Sequence, residues 1–382
     1  MKIAVLTTLG DNLISAKMIP LSRVPAVSNV LFVSDAPGPS IPGVRYFVPP
    51  RWLYRVAVHK SVAKLLLLFA VVMRHQPGIV MAYNVLPHGY SAWLVGRLLR
   101  KKVFQHLIGG LCDVRTEPDT SDNSLIRRFP QLCRLVSAIN RWIVAHSDAV
   151  FVPGHATRDG LVKEFRIPPE RVTILHSTID VERFQVRERT RQYDLVMAAA
   201  LSRRKNIALF LDVVALLNQS IPNIRVAILG EGPYGDRLRA RAAELGIDGN
   251  VSFLGYRKDT EEYYARAKVF VLTSKFEGLS CAAMEAMACG LPIVAPNIGD
   301  MSTIAIDGMT GFLIDGCDDP QQYAEKVKLL LADRDLYANC SRESVAMIRH
   351  EHSFASAERL WAEILNEPPR LNHAARASGP NR

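Results

Sequence analysis

The sequence predicts an α/β protein built from two Rossmann-like, doubly wound domains that face one another across a cleft. Short apolar runs of strand length alternate with helical patterns through most of the chain, which is how parallel strands covered by helices read. The alternation occurs twice, and a polar, charge-crowded stretch from Asp180 to Tyr193 separates the two sets, as suits an interdomain connection. A length of 382 residues gives each set a core of its own. The expected division is a front domain over 1–183, a rear domain over 184–350, a last helix over 351–366 and a tail over 367–382. The tail's Pro, Asn and Arg content predicts disorder.

Each element has a local reason. Lys2 to Thr7 reads as a buried first strand, ending in the polar loop Thr8-Leu9-Gly10-Asp11. Ligands gather at such strand ends in a doubly wound sheet, which makes Gly10 a candidate contact. Further strands are expected at 29–34, 79–83, 103–107, 149–153 and 172–175. Helical patterning covers 54–74, 91–99, 127–145 and 157–165. The rear set begins at 194–200 and continues through 226–229, 251–254, 269–272 and 293–295, with helices at 321–331 and 351–365.

The most informative stretch follows the apolar run Ala267 to Thr273. Ser280 is a good N-cap, the next nine residues are helix formers or small, and Gly290 and Pro292 end the helix. This is a strand, a loop and a helix whose N-terminus opens toward the loop. The amides of Gly278, Leu279 and Ser280, with the positive end of the helix dipole, are placed to hold an anion such as a phosphate. Glu277 and Glu285 flank that site. They would repel phosphate, so they are better explained as acceptors for hydroxyl groups, those of a sugar and a ribose.

The run from Glu277 through Glu285 to Ala286-Met287-Ala288-Cys289-Gly290-Leu291-Pro292 resembles the Glu-x7-Glu signature of retaining glycosyltransferases of GT-B fold, glycosyltransferase family 4. The resemblance implies that Glu277 lies at the donor sugar and Glu285 at the nucleotide ribose. Tyr83 to Gly89 is similar to the family's front-domain loop. Leu229-Gly230-Glu231-Gly232-Pro233 is similar to its second-domain glycine turn, Phe253 to Tyr256 to its base-proximal loop, and Asp307 to Gly311 also matches. His176-Ser177-Thr178-Ile179-Asp180 departs from the family's Pro-Asn-Gly-Val-Asp turn at three of five positions. Thr303 stands where the family often carries a glutamate.

Breaking a sugar–diphosphate bond puts charge on the departing diphosphate. Ser202-Arg203-Arg204-Lys205-Asn206, after the strand 194–200, is the obvious source of positive charge. One cation about 4 Å from a phosphate is worth roughly 4 kcal/mol at an effective dielectric of ~20, before desolvation. Lys205 matches the family's phosphate lysine. The family's strand-end arginine falls on Ala200, leaving Arg203 or Arg204 to reach the same phosphates. The pattern Gly230 to Gly235 fits G-x-G-x-x-G, but it lies mid-chain, so a turn approaching a nucleotide, through Gly230 and Glu231, is the better reading. His106 reads as a structural histidine, two residues before the family's donor-facing position at Ile108. No metal is expected. Asp333-Arg334-Asp335 reads as a solvated turn, and His350-Glu351-His352 lacks zinc spacing and reads as surface.

The formal net charge of +10 is uneven. Residues 1–185 carry 23 Lys and Arg against 12 Asp and Glu, and the remainder is close to balanced. Between Arg51 and Lys102 there are nine Lys and Arg and no acid, interspersed with Trp52, Tyr54 and Trp93. One-sided charge beside aromatics suits an anionic membrane surface better than nucleic acid, for which no recognition motif is present. The longest apolar run, Leu65 to Met73, is about half the ~20 residues of a spanning helix. Six cysteines without framework spacing fit a reducing compartment, and the start of the chain carries no signal-peptide pattern. The expectation is a cytoplasmic, peripheral, metal-independent hexosyltransferase at the inner face of a membrane. It would move sugar from a UDP- or GDP-linked donor to a lipid-linked or glycan hydroxyl acceptor. A sugar-nucleotide epimerase or phosphorylase on the same fold, or a non-catalytic partner that binds nucleotide sugar, are the rival readings.

Overall fold

A computed structural model describes residues 1–57, 59–116, 128–316 and 318–366. The predicted tail, Cys317 and the first residue of the helix expected at 127–145 lie outside the described residues. Two all-parallel sheets form the frame. The front sheet has the order β3-β2-β1-β4-β5-β6-β7, with β1 Lys2–Leu6, β2 Asn29–Val33, β3 Val44–Phe47, β4 Ile79–Tyr83, β5 Lys102–His106, β6 Ala149–Val152 and β7 Val172–Ile174. The rear sheet runs β10-β9-β8-β11-β12-β13, with β8 Tyr193–Ala198, β9 Val226–Leu229, β10 Val251–Phe253, β11 Ala267–Val271, β12 Ile293–Pro296 and β13 Gly311–Ile314. Strands such as β4 and β6 are buried at every residue, which is why they read as continuous apolar runs.

Several helices differ from expectation for identifiable reasons. The stretch after the polar loop Thr8 to Asp11, to which no element was assigned, forms helix α1, Asp11–Arg23, despite Pro20 in its interior. Pro20 has no N–H for the carbonyl of Ala16. The Thr178 hydroxyl, from the segment that crosses between the domains, donates to that carbonyl at 2.6 Å instead. A tertiary bond thus replaces the local one. The pattern at 54–74 breaks into α2, Arg51–Val56, and α3, Lys60–His75, because His59 caps α3 by accepting from the Ser61 amide. Helix α4 is Tyr90–Leu98, α5 Cys133–Ala145 and α6 His155–Lys163.

In the rear domain α7 is Ile207–Ser220, α8 Gly235–Glu244, α9 Thr260–Tyr264, α10 Cys281–Ala288 and α11 Pro320–Ala332. Asp333, expected in a solvated turn, instead caps α12, Arg334–Glu351, accepting from the amides of Asp335 and Leu336. The last helix, α13, starts later than expected, at Phe354–Asn366. It returns to the front domain, where Trp361 is buried with its ring 5.1 Å from that of Phe151.

The chain crosses forward at Ser177–Ile179 and back at His352, and the crossings are tied together. The Ile179 amide donates to the His352 carbonyl at 3.0 Å, and His352 Nδ1 bonds the Ser177 carbonyl at 2.7 Å. His352 is therefore fully buried, against the surface position expected for it. Residues beyond the crossing already lie on the rear domain, where Arg183 pairs with Glu261 at 2.8 Å and Arg187 with Glu262 at 2.7 Å. Among the described residues no helix is long and apolar enough to cross a membrane.

Candidate active site

The site is built on α10. Ser280 caps the helix by accepting from the Ala283 amide at 3.3 Å, and Ala283, Met284, Ala286, Met287 and Ala288 are buried in the rear core. That packing fixes where the helix N-terminus points. Gly278, Leu279 and Ser280 are buried there, and their amides have no acceptor among the described residues. Buried amides without acceptors at a helix N-terminus are what an anion site requires. The loop is pressed between domains. A Cβ on Gly278 would come 2.2 Å from the Ile108 carbonyl oxygen and 2.9 Å from the Gly110 amide, so only glycine permits this approach. From the other side, the Asp300 amide donates to the Gly278 carbonyl at 2.8 Å.

Lys205 reaches the same place from the turn Arg203–Lys205 after β8. Thr273 Oγ1 donates to the carbonyls of Lys205 and Asn206, and the Lys275 amide donates to that of Arg204 at 2.8 Å, strapping this turn to the loop after β11. Lys205 Nζ then donates to Glu277 Oε1 in an ion pair whose side chains are 15% and 9% exposed. Arg203 and Arg204 part company. Arg204 lies within electrostatic reach of Asp113, whereas Arg203 lines an outer groove of about 630 Å³ with Tyr234, Arg237 and Arg241.

Glu285 lies at a crevice of about 180 Å³ whose lining includes Asn12, Ala16, Thr178, Asp180, Arg183 and Cys281. Burial pushes its carboxyl up to about 7, against the opposing pull of Arg183 and of Tyr264, whose hydroxyl donates to Oε2 at 3.4 Å. Gly230, at φ +131°, lets the turn after β9 pass against the Ala199 carbonyl, where a Cβ would sit 1.9 Å away. Glu231 Oε1 accepts from the Tyr256 amide at 3.1 Å, joining the loops after β9 and β10. Gly10 precedes α1 with open space around its Cα.

The fold thus gathers Lys205, Glu277, Gly278, Leu279, Ser280 and Glu285 along one edge of the cleft, and Arg203 lines the groove beside Tyr234. Sequence reasoning did not single out Asp113, Asp300 or Lys17. Asp113, in the turn Gly110–Asp113 after β5, accepts from the Gly109 amide at 2.8 Å, and burial raises its carboxyl to about 7. Asp300 is fully buried and accepts from both the Thr157 amide, at 3.0 Å, and the Thr157 hydroxyl across the domain boundary. It caps α6 where the local cap position, Gly154, has no side chain. His106 is buried, and neither ring nitrogen has a hydrogen-bond partner among the described residues. Among the described residues no cluster of three or more His, Cys, Asp or Glu could hold a metal ion.

Two Rossmann-like domains, each on an all-parallel sheet, define the GT-B class of folds, and comparison with known proteins agrees. The model of the glycosyl transferases group 1 family matches residues 178–346, and that of the glycosyl transferase 4-like domain matches residues 24–178. The chain belongs to the group 1, family 4-like glycosyltransferases. A D-inositol 3-phosphate glycosyltransferase of Mycobacterium sp. (strain KMS) is 30% identical over 193 residues, 46% of this chain and 43% of that one. An N-acetyl-alpha-D-glucosaminyl L-malate synthase of Bacillus anthracis is 23% identical over 310 residues, 78% of this chain and 77% of that one. The chain spans less than half the length of the first of these relatives. Among solved structures, Anabaena HepE in complex with UDP-glucose superposes with a TM-score of 0.76 at 18% identity, over 96% of this chain and 99% of that one. Sucrose-phosphate synthase from Thermosynechococcus elongatus gives 0.75 at 17%, over 96% and 98%. These two likenesses bear on the fold.

Proposed function

We propose that the protein is a retaining, metal-independent hexosyltransferase that moves a sugar from a UDP- or GDP-linked donor to a hydroxyl of a lipid-linked glycan in polysaccharide biosynthesis. The single observation that carries this reading is the meeting of Lys205, Glu277 and the acceptor-free amides of Gly278 to Ser280, with Glu285 one crevice away. In this reading the amides and Lys205 hold the diphosphate as charge grows on it. Glu277 takes the donor sugar's hydroxyls and Glu285 those of the ribose. The HepE complexes hold UDP and UDP-glucose, which supports a nucleotide sugar here.

A membrane-held acceptor is supported by the front domain's outer face. On α3, Val62, Leu66, Phe69 and Met73 are exposed at helical spacing. Leu94 and Leu98 of α4 and Leu135, Ile139 and Trp142 of α5 are exposed too, and the Trp93 and Trp142 rings, 4.7 Å apart, join those two helices. Arg51, Arg55, Lys60 and Arg74 are exposed on α2 and α3. Lys64 is not part of that charge, being turned inward to Asp35 at 2.9 Å. An apolar stripe with basic flanks suits the interface of an anionic bilayer, which supports a peripheral position at the inner, cytoplasmic face.

The test is turnover of UDP- and GDP-sugars by purified protein, with and without a lipid-linked acceptor and with EDTA. Transfer that keeps the donor's anomeric configuration, survives EDTA and is abolished by Glu277→Ala is the expected result. Donor interconversion without acceptor would mean an epimerase, and no turnover of any donor that binds would mean a non-catalytic partner. Anionic liposomes should bind wild type in a salt-dependent way and lose Leu66→Glu/Phe69→Glu. Salt-independent binding would sink the membrane part.

A further inference from the structure

We propose that Lys17, on the front domain's first helix, supplies the positive charge that neutralises the donor's diphosphate from across the cleft. The proposal rests on the nucleotide-sugar reading above and names one more residue of that site.

The argument begins with charge matching. Lys205, which reaches the loop before α10, is already paired with Glu277. Arg204 lies within electrostatic reach of Asp113, and Arg183, beside Glu285, is paired with Glu261. A diphosphate entering the site adds about two negative charges that the Lys205–Glu277 and Arg183–Glu261 pairs do not cancel. Lys17 is a cation without such a pair among the described residues. Its residue is 5% exposed, its one hydrogen bond is to Ser177 Oγ at 3.4 Å, and no carboxylate lies within ion-pair distance among the described residues. Burial lowers its pKa to about 8, so at neutral pH the ammonium persists. A buried charge without a partner is costly to fold and is rarely kept without a use.

Its position says what the use is. Lys17 and Cys281, the first residue of α10, are close enough to shift one another's ionisation. The residue before it, Ala16, lines the same crevice as Cys281 and Glu285. That is the end of the helix where three buried amides lack acceptors. Positive charge from α1 and oriented amides from α10 converge on one region, which favours an anion there far more than either alone. The other basic groups nearby cannot substitute. Burial pushes His106 well below its usual range and His352 down to about 4, and the charge of Lys17 adds to both shifts. Both are neutral when Lys17 is charged.

Isothermal titration of the full chain with UDP, GDP, uridine and guanosine, for wild type, Lys17→Met, Lys17→Gln and Lys17→Arg, tests this. The neutral variants should bind whichever diphosphate wild type prefers at least tenfold more weakly and bind its nucleoside within twofold of wild type. Their ligand-free thermal midpoint should be unchanged or higher, because an unpaired buried charge has gone. Lys17→Arg should recover part of the diphosphate affinity. Diphosphate binding within twofold of wild type in either folded neutral variant overturns the proposal, as does equal loss of nucleoside and diphosphate, which would mark Lys17 as a support for the Ser177 crossing. If wild type binds no diphosphate and no nucleotide sugar, the nucleotide-sugar reading itself falls, and this inference with it.

Discussion

Lys205→Met separates two roles of the Lys205–Glu277 pair, its support of the fold and its grip on the donor. With side chains 15% and 9% exposed, the pair is nearly desolvated. Breaking a fully buried pair by removing one partner costs about 3–5 kcal/mol, because the survivor is stranded, while replacing both partners is close to neutral. The residual exposure here brings the single-variant cost to about 2–3 kcal/mol. Glu277→Gln, which strands the ammonium, should cost a similar amount, and Lys205→Met/Glu277→Gln should regain most of the loss. The coupling in that cycle, the two single costs less the double one, is then about 3 kcal/mol or more. Urea unfolding of the four proteins at pH 7, following the rear-domain transition, measures it. Donor turnover on the same samples should be lost in all three variants and not restored in the double one. A coupling under about 0.5 kcal/mol would mean that the contact is a surface pair of no consequence. Turnover surviving in the double variant would refute the assignment of either residue to the donor.

Two further predictions concern the carboxylates that burial perturbs. The Glu285 carboxyl is raised from 4.5 to about 7 in the folded chain, so the native state binds the extra proton and stability falls as pH rises through that window. Glu285→Gln should flatten the wild-type thermal midpoint between pH 4.5 and 7, and an identical slope in the variant would show that the group is not buried as described. Asp300→Ala should remove the interdomain cap of α6, lowering stability by about 1–2 kcal/mol. Small-angle scattering should show a larger radius of gyration; an unchanged radius would mean that the cap does not help hold the domains closed.

The strands of the two sheets were legible because a parallel strand covered on both faces must be apolar throughout, as at Ile79 to Tyr83. β3 and β13 went unread, β3 because each of its four residues is at least partly exposed, which weakens its apolar signal. Helix α1 was hidden by Pro20, whose local cost is met by a threonine 158 positions further on in the sequence. Glu277 and Glu285 stood out because loop, cap and stop signals surround them at short range, and Lys205 because its turn after a strand matches the family's phosphate lysine. Asp113, Asp300 and Lys17 carry no such signal. Each owes its character to groups on the other domain or to burial at the crossing.

By itself, then, the sequence determined where strands and helices alternate, that one helix opens its N-terminus toward the loop after β11, and which acids stand in that loop and helix, because those are matters of neighbours within a few residues. Only the tertiary structure decided which arginine comes within reach of Asp113, that His352 is buried, and that the Lys17 ammonium has no counter-charge among the described residues. Those depend on desolvation and on contacts between distant segments, which no local pattern encodes.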